Sequence, residues 1–337
     1  MSGATHSLTR RRFVKSAGVA GLGLLAGCGR LPWQAEAPAK IAQIGYLAAN
    51  STSPAHQAFR EGLRELGWIE GQNILIEWRL TEGREEQVPQ FAAELARLPL
   101  DAIVVVETPR IHAVQQETRT IPVVMISSGD PVSNGFVASL SRPGGNITGV
   151  SNIAPQLSGK RLELLKETIP GASRVAILWD PTDPGNLLAF QETQAAAERL
   201  AIHLQSLEVR DPGNLSGAFE TATRKRADGV VIPAGPVAFN QRMQIVELTA
   251  QHRLPAMYAQ GRLDVEVGGL MWYAPSNAAV YRRAAYYVDR ILKGAKPADL
   301  PVEQPREFDF VINLRTAQAL GLTIPRHVLL QATEIIQ

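Results

Sequence analysis

The chain predicts an α/β protein of two doubly wound parallel-sheet lobes. Three observations carry this. Apolar runs of strand length alternate with amphipathic segments of about ten residues. The alternation lapses after residue 126 and restarts at residue 174. The run AIVVV at 102–106 is apolar throughout, as in a parallel strand covered on both faces.

In the first unit, residues 41–48 (IAQIGYLA) read as a buried strand, and 55–66 as a helix with Phe59, Leu63 and Leu66 on one face. Gly67 follows as a left-handed cap. Residues 73–80 (NILIEWRL) alternate like a strand, and 88–98 place Phe91, Leu95 and Leu98 at helical spacing. Strand 102–106, a short helix at 111–117 and strand 123–126 complete the unit. Strands alternating with helices imply right-handed β-α-β crossovers. The second unit repeats this with strands at 174–179, 203–209 and 229–233 and helices at 189–200, 215–224 and 241–252. Residues 256–259 and 269–273 close its sheet. The link, 149–158 (GVSNIAPQLS), is rich in turn formers. A helix at 277–292, a strand at 308–312 and a helix at 314–320 come last, and periodicity alone assigns them to neither lobe.

Residues 1–27 read as an export signal. Arg10-Arg11-Arg12 precedes an apolar, glycine-rich stretch from 17 to 25, shorter than the ~20 residues of a membrane span. The paired arginines are of the bacterial twin-arginine type. Leu25-Ala26-Gly27-Cys28 resembles a lipobox with Cys28 as the lipid-bearing residue. Cys28 is the sole cysteine, so no intramolecular disulfide forms and lipidation supplies its role, with plain cleavage as the alternative. Residues 28–39 read as a tether. The whole chain carries a formal charge of +2, and loss of Arg10, Arg11, Arg12 and Lys15 leaves −2, because no acidic residue precedes Cys28. A mildly acidic mature chain offers no footprint for nucleic acid.

Catalytic signatures are absent from the sequence. No histidine stands at metal-ligand spacing, and neither a G-x-S-x-G elbow nor a phosphate loop occurs. No catalytic residue, metal or cofactor is therefore assigned. The positive signals are loops after strands, where open α/β sheets bind ligands. They are Asn50-Ser51-Thr52-Ser53, Glu107-Thr108-Pro109, Ser128-Gly129-Asp130, Asp180 to Asn186, Ala234-Gly235-Pro236 and Gln260-Gly261-Arg262. Such residues also cap helices and form turns, and Asp130 has that rival role before Pro131. Tyr46, Tyr258, Trp272 and Tyr273 are the aromatic candidates. The expected ligand-binding set is Tyr46, Asn50, Ser51, Ser53, Thr108, Ser128, Asp130, Asp180, Asn186, Ala234, Tyr258 and Tyr273. Asp130 and Ser128 are expected to face Asp180 and Tyr258 across a cleft.

Several stretches resemble a known family: FREGLRELG at 59–67, GDPV at 129–132, SRPGGNITG at 141–149, LSGKRLELL at 157–165, YRRAA at 281–285 and LKGAKPADLPVEQP at 292–305. With Asn313-Leu314 they resemble the substrate-binding lipoproteins of bacterial ABC transporters, in the tryptophan/tyrosine-type group. The resemblance implies a type I periplasmic-binding architecture with several hinge crossings. It returns the late helix to the first lobe and the terminal strand to the second, giving lobes of 40–152 plus 276–303 and 153–275 plus 304–337. It implies a monomeric solute receptor on the periplasmic side of the membrane, anchored at Cys28 or free. Its partners would be a small, amino-acid-like organic ligand and ABC permease and ATPase subunits. A receptor feeding a signalling partner, and an exported enzyme, are the alternatives. Glu107 stands where a small residue is expected after the third strand; a carboxylate there rejects an anionic ligand or accepts a cationic group.

Overall fold

The computed structural model describes residues 41–50, 54–153 and 155–337, apart from the side chains of residues 127 and 128. The signal, the tether, Cys28, Ser51 and Ser53 lie outside the described residues. The first sheet takes β1 (Ala42–Ala48), β2 (Ile74–Leu80), β3 (Ala102–Val106), β4 (Val123–Ser128) and β5 (Ile147–Ser151) in the order β2-β1-β3-β4-β5, all parallel. Its helices are α1 (Pro54–Glu65), α2 (Val88–Arg97) and α3 (Thr108–Glu117). Every residue of β3 is buried, because helices cover both faces of the sheet. Gly67, at φ +91°, ends α1 as the sequence predicts, with Trp68 N donating to Leu63 O at 2.9 Å.

The second sheet runs β12-β11-β10-β9-β8-β6-β7. Its elements in chain order are α4 (Ser158–Thr168), β6 (Arg174–Trp179), α5 (Pro184–Arg199), β7 (His203–Glu208), α6 (Leu215–Arg224) and β8 (Gly229–Ile232). Next come α7 (Pro236–Asn240), α8 (Arg242–Gln251), β9 (Ala256–Tyr258), α9 (Leu263–Glu266), β10 (Met271–Pro275) and α10 (Asn277–Leu292). The chain ends with β11 (Phe308–Asn313), α11 (Leu314–Leu320), α12 (Arg326–Leu329) and β12 (Glu334–Ile336). The sheet is parallel except between β10 and β11. Residues 269–273 thus do not close it, since β11 and β12 extend it further.

Helix α10 packs on the first sheet, not on the strands that flank it in sequence. Val280, Ala284 and Val288, one turn apart, bury against Tyr46, Phe59 and Val104. Full burial of a side chain such as Phe59 contributes about 1.5–3 kcal/mol. The crossing of α1 over α10 is close: a Cβ on Gly62 would lie 3.0 Å from Ala285 Cβ and 3.1 Å from the Arg282 Cα. Trp68 Nε1 adds a hydrogen bond to Asp289 Oδ1 at 2.9 Å. Helices α2 and α3 cover the other face, with Leu95, Ile111 and Val114 against Leu47, Val105 and Met125.

The chain passes between the sheets three times: β5 to α4, β10 to α10, and α10 to β11. The 149–158 link is shorter than its turn-rich composition predicts, because 149–151 belong to β5 and Ser158 opens α4. Backbone pairing laces the crossings together. Glu303 N donates to Gly149 O at 3.0 Å, Ser151 N to Glu303 O at 2.9 Å, and Ser276 N to Glu307 O at 2.9 Å. Arg283 holds the Glu303 carboxylate with two bonds, of 2.5 and 2.8 Å.

Two features fix the backbone near the crossings. Gly149 has φ +134°, and a Cβ there would fall 2.2 Å from Met125 O. On the second lobe, Arg242 Nε donates to Asp264 Oδ1 at 2.6 Å, and Asp264 is 2 % exposed. Burial pushes the Asp264 carboxyl above its ordinary range, and the Arg242 bond pulls against that rise.

Gly149→Ala is expected to destabilise the protein by about 3 kcal/mol, through a forbidden φ and a backbone clash; urea unfolding measures it. A stability within error of the parent would mean that β5 can be rebuilt around a side chain. The pair gives a pH-resolved test. A carboxyl whose folded pKa exceeds its unfolded value binds its proton more tightly when folded. Stability therefore falls as pH rises from the ordinary carboxylate range through the folded value. Arg242→Met enlarges the rise by removing the opposing charge. The expected loss is about 3–5 kcal/mol near neutral pH and smaller near pH 5. Equal losses at both would remove Asp264 as the cause.

Candidate functional site

The carboxyl edges of the two sheets meet at a cavity of about 290 Å3. From the first sheet come Glu107 after β3 and Ser151 and Asn152 at the end of β5; α10 adds Asn277 and Val280. The second sheet gives Ala234 after β8, residues 259–262 after β9, and Trp272, Ala274 and Pro275 of β10. Pro305 closes one side from the third crossing.

The second-lobe wall is held by side chains acting on backbone. Asn186 Nδ2 donates to Ala234 O at 2.8 Å, and Gly235 packs so near that a Cβ would meet Asn186 Nδ2 at 2.6 Å. Gln260 Oε1 accepts from Gly235 N at 2.9 Å, tying the loops after β8 and β9. Asp264 Oδ2 accepts from Gly261 N at 2.9 Å, so the buried ion pair also shapes this wall.

Glu107 and Arg262 are the ionisable side chains of the lining. Glu107 adopts φ +71° and ψ 148°, a conformation that glycine takes readily and that costs other residues about 1–3 kcal/mol. Its Oε2 accepts from Arg110 Nη1 at 2.5 Å, while Arg110 Nη2 donates to Glu85 Oε1 at 2.5 Å. Arg110 is 3 % exposed, and its charge is shared by two carboxylates. Arg262 is engaged in the same way. Its Nε donates to Glu266 at 2.7 Å, and Nη1 and Nη2 donate to Glu334 at 2.6 and 2.7 Å. These partners, the Glu266 hydrogen bond first, raise its pKa. Trp272 is 5 % exposed, and its Nε1–H is buried with no acceptor among the described residues.

A larger cavity, about 540 Å3, lies beside the C-terminal half of α1 and the third crossing. Val280 and Pro305 line both cavities. No residue of the loops after β3, β8 and β9 lines the larger one, and its Arg283 and Glu303 are already paired. The smaller cavity is therefore the candidate site. Among the described residues no group of three His, Cys, Asp or Glu side chains is placed to hold a metal ion.

Of the expected ligand set, Ala234 lines this cavity and Asn186 supports its wall. Tyr46 and Tyr258 are core residues. Tyr46 is fully buried against Phe59 and Trp78, and burial raises its pKa. Tyr258 is 2 % exposed, with its hydroxyl 2.9 Å from that of Thr249 in the core. Asp130 takes its rival role. It accepts from Val132 N, Ser133 N and Ser133 Oγ, which together hold its pKa below the ordinary value, the Ser133 side chain foremost. Asp180 likewise accepts from Thr182 N and Oγ1. The expected facing of Asp130 by Asp180 and Tyr258 is not formed in this cavity. Thr108 Oγ1 accepts from Gly129 N at 2.9 Å, Asn50 is exposed beyond β1, and Tyr273 stacks on Phe308. Ser128 pairs with Ser151 through the backbone of β4 and β5. Ser151, Asn152, Asn277 and Pro305 line the cavity but are not in the expected ligand set, although the first two fall in the 149–158 link.

Comparison with known proteins gives one consistent result. Residues 40–336 match the family model for ABC transporter substrate binding protein. A curated tyrosine-binding protein of Clostridioides difficile is 22 % identical over 272 residues, covering 81 % of this chain and 78 % of that protein. The crystal structure of an ABC domain in complex with L-Trp, from Streptococcus pneumonia, is 26 % identical, with TM-score 0.74, covering 88 % of this chain and 99 % of that one. The ligand-free, open structure of a substrate binding protein with adhesive properties from Clostridium difficile superposes with TM-score 0.75 at 20 % identity, over 88 % and 99 % of the two chains, and shows the shared fold. With two parallel-sheet lobes, three crossings and a cavity at their carboxyl edges, the chain belongs to the ABC transporter substrate-binding protein family.

Proposed function

We propose that the protein captures a small organic solute in the cavity between its sheets and delivers it to ABC permease and ATPase subunits. The observation that carries this is the cavity itself. At about 290 Å3 it stands at the lower end of small-molecule pockets, ~300–1,000 Å3. Its lining comes from the loops and crossings that lobe closure would bring together. The tyrosine- and tryptophan-binding relatives favour an amino-acid-like solute. Binding occurs without catalysis in this reading, since the cavity offers amides, one indole and two paired charges rather than a nucleophile poised beside a base.

The same reading places the protein outside the cytoplasm as a monomer held to the membrane by lipid on Cys28. The paired arginines and Leu25-Ala26-Gly27-Cys28 support it. No described helix is long and apolar enough to cross a membrane. The lobes would correspond to residues 40–152 with 276–303 and 153–275 with 304–337.

Three experiments test the proposal. A thermal-shift screen over amino acids, amines and small organic acids should find a ligand that raises the melting temperature, because binding to the native state alone adds stability. With that ligand at saturation, small-angle scattering should show a smaller radius of gyration. An unchanged profile would rule out closure. In the bacterial host, Cys28→Ser should release the protein from the membrane fraction or leave it unprocessed. Unaltered membrane association and processing would overturn lipidation at that residue.

A further inference from the structure

The three crossings form a partition with a cavity on each face. Val150 of β5 lines the larger cavity and Ser151 the smaller one, since successive residues of an extended strand point to opposite faces. On α10, Asn277 serves the smaller cavity, Ala279 and Tyr286 the larger, and Val280 both. Pro305, in the middle of the third crossing, also lines both. The larger cavity, about 540 Å3, thus lies behind the hinge, back to back with the solute cavity.

Hydrogen bonds locate the bend within this partition. Glu303 is fixed to the first lobe through Gly149, Ser151 and Arg283. Glu307 O accepts from Ser276 N, and Phe308 pairs with Pro275, so this end moves with the second sheet. Residues 304–306 are left between the two anchors. One bank of the larger cavity, formed by Gly62, Glu65 and Leu66 of α1 together with α10, therefore belongs to the first lobe. The other, Glu307 with Arg306 beside it, travels with the second. Among the described residues no ion pair ties Arg306 or Glu307 to α1 or α10, so the width of the cavity is free to change.

We infer that this hinge-side cavity governs the balance between open and closed lobes. Rotation about the partition widens one cavity as it narrows the other, so parting the lobes compresses the space behind them. The unfilled volume is what lets them part. Bulk placed there obstructs the open conformers and spares the closed ones. The closed population then rises, and the apparent affinity for the solute rises with it, because a state populated only in part binds more weakly by that fraction. The control point touches no solute. The inference rests on hinge closure as proposed above and adds the element that sets its poise.

The test is Ala279→Trp and Glu65→Trp, one on each helix of the first-lobe bank. The control is Ala278→Trp, an exposed neighbour that lines neither cavity. Small-angle scattering of the ligand-free proteins is the deciding measurement. Both cavity variants should show a smaller radius of gyration than the parent, and the control should match the parent. Glu65 is exposed, so its variant decides the matter if Ala279→Trp does not fold. Calorimetry with L-tyrosine and L-tryptophan adds the linked readout. Whichever binds the parent should bind the cavity variants about three- to tenfold more tightly. A radius equal to the parent's in the folded cavity variants, an equal contraction in the control, or contraction with unchanged affinity overturns the control point. Closure itself is judged apart. If a solute contracts the parent while the ligand-free cavity variants match the ligand-free parent, closure stands and the control point falls. If the cavity variants contract but no solute of the thermal-shift screen contracts the parent, the control point stands and solute-driven closure falls.

Discussion

The geometry of the cleft depends on the short backbone ladder between Glu303 and the end of β5. Two hydrogen bonds, Glu303 N to Gly149 O and Ser151 N to Glu303 O, fix where the first and third crossings run beside each other. Arg283 pins the Glu303 carboxylate from α10, and Tyr286 lies under its guanidinium at 3.9 Å. The arrangement demands glycine at 149, because the neighbouring strand passes too near for any side chain. The pairing is local and strong, whereas the two cores on either side are separate. A bend at the crossings would alter the distance between the lobes without opening either core, as the proposed hinge closure requires.

At the cleft, two arginines are each shared by two carboxylates. Arg110 is held by Glu85 and Glu107, and Arg262 by Glu266 and Glu334. Each cluster of one guanidinium and two carboxylates carries a surplus negative charge. Ser151, Asn152, Gln260 and Asn277 add further polar groups to the lining, with Gln260 already bonded to Gly235.

Most strands were legible because burial on both faces writes a continuous apolar run, as at 102–106 and 229–232. β5 was not. Its residues ITGVS include a glycine required by a neighbour distant in sequence, so no local pattern reveals the strand. α4 was obscured for a related reason. Its buried positions include Ser158, Gly159 and Arg161, and Arg161 Nε donates to Tyr273 O at 2.8 Å, so burial does not track hydrophobicity there. The last strand, EII, exists through its pairing with β11. At the site, the loops after β3, β8 and β9 could be read from strand ends, but the facing of single residues could not. Tyr258 and Ala259 are neighbours at the end of β9; the tyrosine is turned into the core, and Ala259 lines the cavity. The Asp130 carboxylate accepts local hydrogen bonds from two backbone N–H groups and the Ser133 hydroxyl, as a helix-capping residue does.

The packing of α1 against α10 also bears on how the chain reaches this state. Trp68 and Asp289 are 221 residues apart, as are Glu61 and Arg282, yet each pair closes the same helix crossing. The lobe that begins first along the chain is thus completed almost last. Until residues 277–292 have emerged from the ribosome, the apolar face of α1 and the sheet beneath it stay uncovered, while five of the seven strands of the second sheet are already available to fold. Non-local closure of this kind slows folding and prolongs exposure of sticky surface. Truncation before residue 277 would leave a nascent chain whose N-terminal half is a client for chaperones.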